Sequence, residues 1–307
     1  MSAIAYFGPS GTFTEMALDR LLDEGVPAHG HPEIAADSIR RSASSPPAVI
    51  DLVRTGAVDF GCVPMESSVE GAVPATMDAL VAGSRVQIFA ETVLDIAFAV
   101  ATRADTDAIT TVAAYPVAAG QTRESLERLY PSARIIPAAS NAAAAADVAQ
   151  GRADAALTTA LAARMHGLTV IPDGVADSAD ATTRFVLLGR PAPVPPRTGD
   201  DRTSVVLDLA NEPGSLMRAM SEFAGRGIDL TRIESRPRRS ERGYYFYLDA
   251  AGHIDDAAMT EALAALHAYA RNVTFLGSWP AARGNGAAPP DHSTSQAWVE
   301  SLRNGRS

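Results

Sequence analysis

Between residues 189 and 201 the chain reads GRPAPVPPRTGDD, with Pro191, Pro193, Pro195 and Pro196 in close succession. Proline has no backbone N–H to give to a helix or a sheet ladder and its φ is fixed, so this stretch forms neither a helix nor a central strand. It reads as an extended linker over residues 190–202, dividing the chain into two parts that each bury their own core. The 307 residues suffice for that, since a domain typically takes about 100–200.

The part after the linker has a short, closed pattern. Residues 203–209 alternate as a strand, Asn211-Glu212-Pro213-Gly214 is a turn, and 215–226 show helical spacing up to Gly227. Residues 228–236 and 244–249 alternate as strands around the charged turn 238–243. A helix over 255–270 with an acidic first turn and a last strand at 273–276 complete the order βαββαβ, a ferredoxin-like sandwich over 203–280. Residues 281–307 read as a flexible tail in which 297–302 can form a short helix.

Before the linker, short apolar runs alternate with helical stretches: 4–7, helix 14–22, helix 49–54 ending at Gly56, then 60–64. A helix over 77–81 is followed by apolar runs at 86–89, 95–100 and 111–114. Helix 121–129, strand 133–137, the Ala-rich helix 141–149 stopped by Gly151, strand 155–158, helix 159–166 with Gly167, strand 169–172 and a returning strand 183–188 complete this part. The wiring is that of an α/β body over 1–189 with two lobes, one from about 1–78 plus 175–189 and one from about 79–174. The alanines of 141–149 read as helix propensity and close packing.

Composition removes several function classes. With 47% apolar and 20% charged residues the chain is globular, and a net charge of −10 repels nucleic acid. The basic cluster 236–242 falls in a hairpin turn and reads as solvated. The one cysteine, Cys62, lies in an apolar strand and has no partner for an intramolecular disulfide. The N-terminal residues lack a secretory pattern and no apolar run approaches the roughly 20 residues of a membrane span, so the expected location is cytoplasmic. No metal-ligand spacing, P-loop or dinucleotide fingerprint occurs, and His29 and His31 read as exposed loop residues, so neither metal nor cofactor is expected.

Four segments of the body carry chemistry. Gly8-Pro9-Ser10-Gly11-Thr12-Phe13-Thr14-Glu15 joins a strand to a helix: either a tight turn capped by Thr12 or Thr14, or a cradle whose N–H groups hold an anion. Val63-Pro64-Met65-Glu66-Ser67-Ser68-Val69-Glu70-Gly71 places polar residues at a strand end, where Ser67 and Ser68 either cap or bind ligand. The third segment is Ala114-Tyr115-Pro116-Val117-Ala118-Ala119-Gly120-Gln121, and the fourth is Thr182-Thr183-Arg184-Phe185. Arg184, at the entrance of an apolar strand, needs a carboxylate, from a ligand or from the chain itself.

Taken together, these segments resemble the prephenate dehydratase family over about residues 4–280. Two more motifs carry the resemblance: Gly214-Ser215-Leu216-Met217, similar to the family's Gly-Ala-Leu, and Glu234-Ser235-Arg236-Pro237, which matches its effector motif. The resemblance implies a two-lobed catalytic body like that of periplasmic binding proteins, and a C-terminal ACT domain that binds L-phenylalanine between paired copies in a homodimer or homotetramer. It implies the decarboxylating dehydration of prephenate to phenylpyruvate, under feedback by phenylalanine. Arogenate as substrate, or a non-catalytic amino-acid sensor, are the alternatives.

By the same resemblance Thr183 is the hydrogen-bond donor to the leaving hydroxyl. Glu66 is a proton source or a loop brace, and Gln121 and Ser67 orient the ring. The N–H groups of Ser10, Gly11 and Thr12, with Arg184, hold the retained carboxylate, with Ser68 and Phe185 beside them. The effector falls to Asn211, Pro213, Gly214, Ser215, Leu216 and Met217 with Glu234, Ser235, Arg236 and Pro237. The chain departs from the family at Ser67, where an asparagine is usual, at Ala114, Tyr115 and Val117 in place of Ser, His and Gln, and at a missing asparagine near Asp180.

Overall fold

The computed structural model describes residues 2–25, 38–106, 108–172, 175, 180–238, 243–283, 286–290 and 293–305. His29, His31 and turn residues 239–242 lie outside the described residues. Two compact units emerge: among the described residues one holds those up to Ala79 and Thr92–Leu187, the other Leu80–Glu91 and those from Leu188 onward.

The chain runs β1 (Ala3–Phe7), α1 (Phe13–Glu24), β2 (Ile39–Ala43), α2 (Pro46–Arg54), β3 (Phe60–Ser67), β4 (Gly71–Ala72), α3 (Pro74–Val81) and β5 (Gln87–Asp95). It continues through β6 (Ala99–Thr102), β7 (Thr111–Ala114), α4 (Pro116–Gln121), α5 (Arg123–Leu129), β8 (Arg134–Pro137), α6 (Asn141–Ala149), β9 (Ala155–Thr158), α7 (Ala160–Met165), β10 (Thr169–Val170) and β11 (Thr182–Gly189). One sheet has the order β2-β1-β3-β11-β5, with β4 beside β3; a second has the order β10-β6-β9-β7-β8.

Local chemistry accounts for most of these elements. α1 buries Thr14, Ala17, Leu18 and Leu21, the three-and-four spacing of a helix with one face on a sheet. Pro46 fits the first turn of α2, where Ser45 Oγ accepts the Ala48 N–H at 3.3 Å. The alanines of α6 pack into a core with Ala101, Ala113, Ala156 and Ala162, so they serve close approach as well as propensity.

Several elements differ from the sequence pattern. β2 was not foreseen: its residues IRRSA are almost wholly exposed on an edge, so they show no apolar alternation, yet they pair in parallel with β1 from Ala3–Ile39 to Phe7–Ala43. The helix expected over 121–129 is α5, which starts at Arg123, and a short helix not foreseen, α4, precedes it; between them Thr122 is fully buried and its hydroxyl donates to the Ala118 carbonyl at 2.8 Å. β5, expected at the start of the second lobe, is instead a strand of the first sheet. An apolar run reveals a strand and not which sheet it joins.

In the second unit the order is β12 (Asp201–Asp208), α8 (Ser215–Ala224), β13 (Leu230–Pro237), β14 (Tyr244–Ala251), α9 (Ala257–Tyr269), β15 (Asn272–Pro280) and α10 (Ser293–Arg303). The sheet order β13-β14-β12-β15, antiparallel throughout, is the expected ferredoxin-like sandwich. Val205, Leu207, Phe223, Leu248, Met259 and Leu266 form its core.

β12 takes up the last two residues of the expected linker because both are occupied. The Asp201 carboxylate accepts the N–H groups of Thr198 and Gly199, each at 2.8 Å. Arg202 donates to Glu91 at 3.2 Å in a buried cluster where Arg232 and Ser204 share Asp249. The proline-rich stretch 190–200 contains neither helix nor strand, and two of its carbonyls are held: Ala192 by Gln87 Nε2 at 2.8 Å and Pro195 by His253 Nε2 at 3.0 Å.

Candidate functional site

A cleft of about 810 Å³ opens in the first unit. Its walls come from the β1–α1 loop (Gly8, Pro9, Thr12), the first turn of α1 (Phe13, Thr14) and the end of β3 (Pro64, Ser67, Glu70). The start of β11 (Thr183, Phe185), the α4 region (Tyr115, Val117, Ala118, Gln121) and the start of α6 (Ser140, Asn141, Ala143) complete them. Strand ends and helix starts converge here, where α/β sheets place their ligands. The lining is mostly apolar, with Phe13 edge-on to Phe98 at 5.6 Å. Glu70 is the one charged residue in it, and no arginine or histidine lines the cleft among the described residues.

Thr183 lines the cleft with a hydroxyl that has no hydrogen-bond partner among the described residues. It is held there by its neighbours. Ser68 clasps Thr182 reciprocally, N–H to carbonyl and N–H to Oγ, each at 2.9 Å. Arg184, 6% exposed, donates to Glu66 Oε2 at 3.0 Å. The Thr183 hydroxyl is thus unengaged among the described residues while both flanking residues are anchored.

Of the residues expected to bind substrate, Thr12, Ser67, Gln121, Thr183 and Phe185 line the cleft. Ser10, Gly11, Glu66, Ser68 and Arg184 do not. Arg184 is turned onto Glu66, Ser10 Oγ lies 2.9 Å from the Tyr6 hydroxyl, and the Gly11 N–H is taken by Glu15 Oε2 at 2.6 Å. Gly11 has φ +90° and lies so near α7 that a Cβ would stand 2.9 Å from that of Ala162. Its carbonyl accepts the Thr159 hydroxyl at 2.7 Å.

Ser67 Oγ accepts the N–H groups of Val69 and Glu70 at 3.3 and 3.4 Å, so it stabilises the turn and borders the cleft at once. Gln121 Nε2 donates to Glu70 Oε1 at 3.1 Å, joining the β3–β4 turn to the end of α4. Glu70, Ser140 and Asn141 escaped the sequence expectations as cleft residues. A Ser-Asn pair opening a helix was the available signal for the last two.

In the second unit a smaller pocket of about 240 Å³ is lined by Leu209, Ala210, Glu212, Pro213, Gly214, Ser215, Arg218 and Tyr269. Gly214 takes φ +84° at the start of α8, a conformation that favours glycine there. Arg218 stacks 3.8 Å over the Tyr269 ring, a pair no motif indicated. Asn211, Leu216 and Met217 adjoin this pocket in sequence without lining it, and Glu234, Ser235, Arg236 and Pro237 lie on the edge strand β13 and do not line it either. Among the described residues no cluster of His, Cys, Asp and Glu is placed to hold a metal ion, and no helix is long and apolar enough to cross a membrane.

The Prephenate dehydratase family matches residues 4–193 and the ACT domain family residues 203–268. A prephenate dehydratase of Mycolicibacterium vanbaalenii is 52% identical over 311 residues, covering 100% of both chains. One of Mycobacterium sp. (strain JLS) is 51% identical over 308 residues, covering 99% of this chain and 97% of the relative. The crystal structure of prephenate dehydratase from Arthrobacter aurescens in complex with L-Phe aligns with a TM-score of 0.86 at 36% identity, covering 98% of this chain and 99% of that one.

Proposed function

We infer that the chain, which belongs to the prephenate dehydratase family, is a carbon–oxygen lyase that converts prephenate to phenylpyruvate for L-phenylalanine biosynthesis under feedback by L-phenylalanine. In the reaction the bond from the ring to its carboxylate breaks, and that electron pair enters the ring. The bond from the ring to the hydroxyl breaks, and its pair leaves with the oxygen. One proton is taken up, and CO₂, water and the phenylpyruvate anion result. Aromatisation supplies the driving force, so the protein's tasks are to hold a dianion and to donate to the leaving oxygen.

The observation that carries the assignment is Thr183: a hydroxyl without a partner among the described residues, at the cleft wall, between two anchored neighbours. An alcohol is too weak an acid to surrender its proton freely, so Thr183 acts as a fixed donor or as a relay from water. Gln121 and Ser67 border the ring site. Glu66 and Arg184 form a brace behind Thr183, which favours the bracing role for Glu66 over that of proton source.

The A. aurescens structure holds L-Phe, which supports the same effector here. The pocket beside Gly214 is its site on one copy, and Glu234 to Pro237 of a paired copy complete it, which requires a dimer or tetramer. Exposed Met217, Ile233 and Tyr244 support that pairing. The cytoplasm is the proposed place of work. Purified protein given prephenate and, separately, arogenate tests the whole: phenylpyruvate formation with the higher kcat/KM for prephenate is expected. Turnover of arogenate alone, or of neither, refutes it.

A further inference from the structure

A dianion bound in this cleft meets no cationic side chain among the described residues: the sequence contains no lysine, and the nearby Arg184 is turned to Glu66. The Gly11 N–H is occupied by Glu15. What remains on that wall is the first turn of α1. Its backbone bonding starts with Met16 N–H to the Thr12 carbonyl, so the N–H groups of Phe13, Thr14 and Glu15 have no partner among the described residues. The Thr12 side chain does not cap them, and its hydroxyl donates to the Pro9 carbonyl at 3.1 Å.

Thr14 supplies an independent observation. It is 4% exposed, it lines the cleft, and its hydroxyl has no hydrogen-bond partner among the described residues. A threonine buried to that degree normally satisfies its hydroxyl, so one left open toward a cleft is set for a ligand acceptor. Only the backbone carbonyl of Thr14 is engaged, with the Cys62 thiol at 3.8 Å.

We propose that Thr14, with the open N–H groups of the first turn of α1, anchors the carboxylate that the substrate keeps. The inference rests on the dehydratase assignment and adds to it a residue and a choice between two carboxylates. Donors that hold a carboxylate firmly oppose its departure as CO₂, because they stabilise the ground-state charge more than the transition state in which that charge is lost. The anchored group is therefore the side-chain carboxylate, which survives in phenylpyruvate. Substrate and product then share the anchor, and Thr14 binds both alike.

The test compares wild type, Thr14→Val and Thr14→Ser in the full-length protein, with folding checked by circular dichroism. KM for prephenate and the competitive inhibition constant for phenylpyruvate are expected to rise together in Thr14→Val, each by roughly 10- to 100-fold, with kcat far less affected. Thr14→Ser, which keeps the hydroxyl, restores both. Unchanged KM and inhibition constant in Thr14→Val overturn the anchor, as does a fall confined to kcat. If Thr14→Val does not fold, Thr14→Ala carries the comparison. Wild type that fails to turn over prephenate sinks the dehydratase assignment instead. In that case calorimetry with phenylpyruvate still decides the anchor, by equal or unequal binding to wild type and variant.

Discussion

Arg184 donates to Glu66 at 3.0 Å from a position 6% exposed, and this pair stands directly behind the residue placed at the cleft wall. Removing the guanidinium leaves Glu66 without this partner, but Glu66 keeps 37% of its side-chain surface, so water offsets part of the loss. Arg184→Leu is expected to lower unfolding free energy by about 1–3 kcal/mol and to reduce kcat through a displaced Thr183. Urea denaturation and steady-state rates measure both. A variant with full stability and full turnover contradicts the bracing role.

Gly11 joins the β1–α1 loop to α7. A side chain there must adopt φ +90° and meet Ala162 at 2.9 Å, against backbone as well as side chain. Gly11→Ala is expected to cost about 2–4 kcal/mol from the left-handed backbone and the overlap together. A shift in the denaturation midpoint checks it.

Asp154 is held well below the usual carboxylate range, at about 2, by the hydroxyls and N–H groups of Thr110 and Thr111, all within 3.0 Å. A depressed folded-state value means that its contribution is complete above the unfolded value near 4 and is lost as pH falls toward 2. Asp154→Asn is therefore expected to lower stability at pH 7 and to flatten the decline between about pH 4 and 2. Because the group is largely exposed the effect is modest, and parallel acid denaturation of wild type and variant detects it.

Gly214 holds φ +84° at the pocket assigned to the effector. Gly214→Ala is expected to cost about 1–2 kcal/mol and to weaken L-phenylalanine binding in calorimetry, while the uninhibited rate stays near that of wild type. Unaltered binding places the effector elsewhere.

Much of this was legible in the sequence, for physical reasons that differ by element. α6 shows its limits through Ser140, a run of alanines and Gly151, β13 alternates because one of its faces is buried, and β12, buried along nearly its whole length, is marked by its apolar run and the turn that follows it. β2 is silent because an exposed edge strand has no buried face to pattern. Thr183, Gln121, Ser67 and Phe185, named from their motif segments, line the cleft. Arg184 and Gly11 shared those segments but face inward, and motif position does not say whether a side chain points to ligand or to structure. Glu70 and Thr14 needed the geometry, since what marks Glu70 is its bond to Gln121 and what marks Thr14 is a buried hydroxyl that lines the cleft.

The most direct test is the turnover of prephenate by Thr183→Val, a substitution that keeps the shape and removes the hydroxyl. The account predicts that kcat falls by roughly 10² to 10⁴ while circular dichroism and the denaturation midpoint match wild type. A folded Thr183→Val protein with near-normal kcat would contradict it.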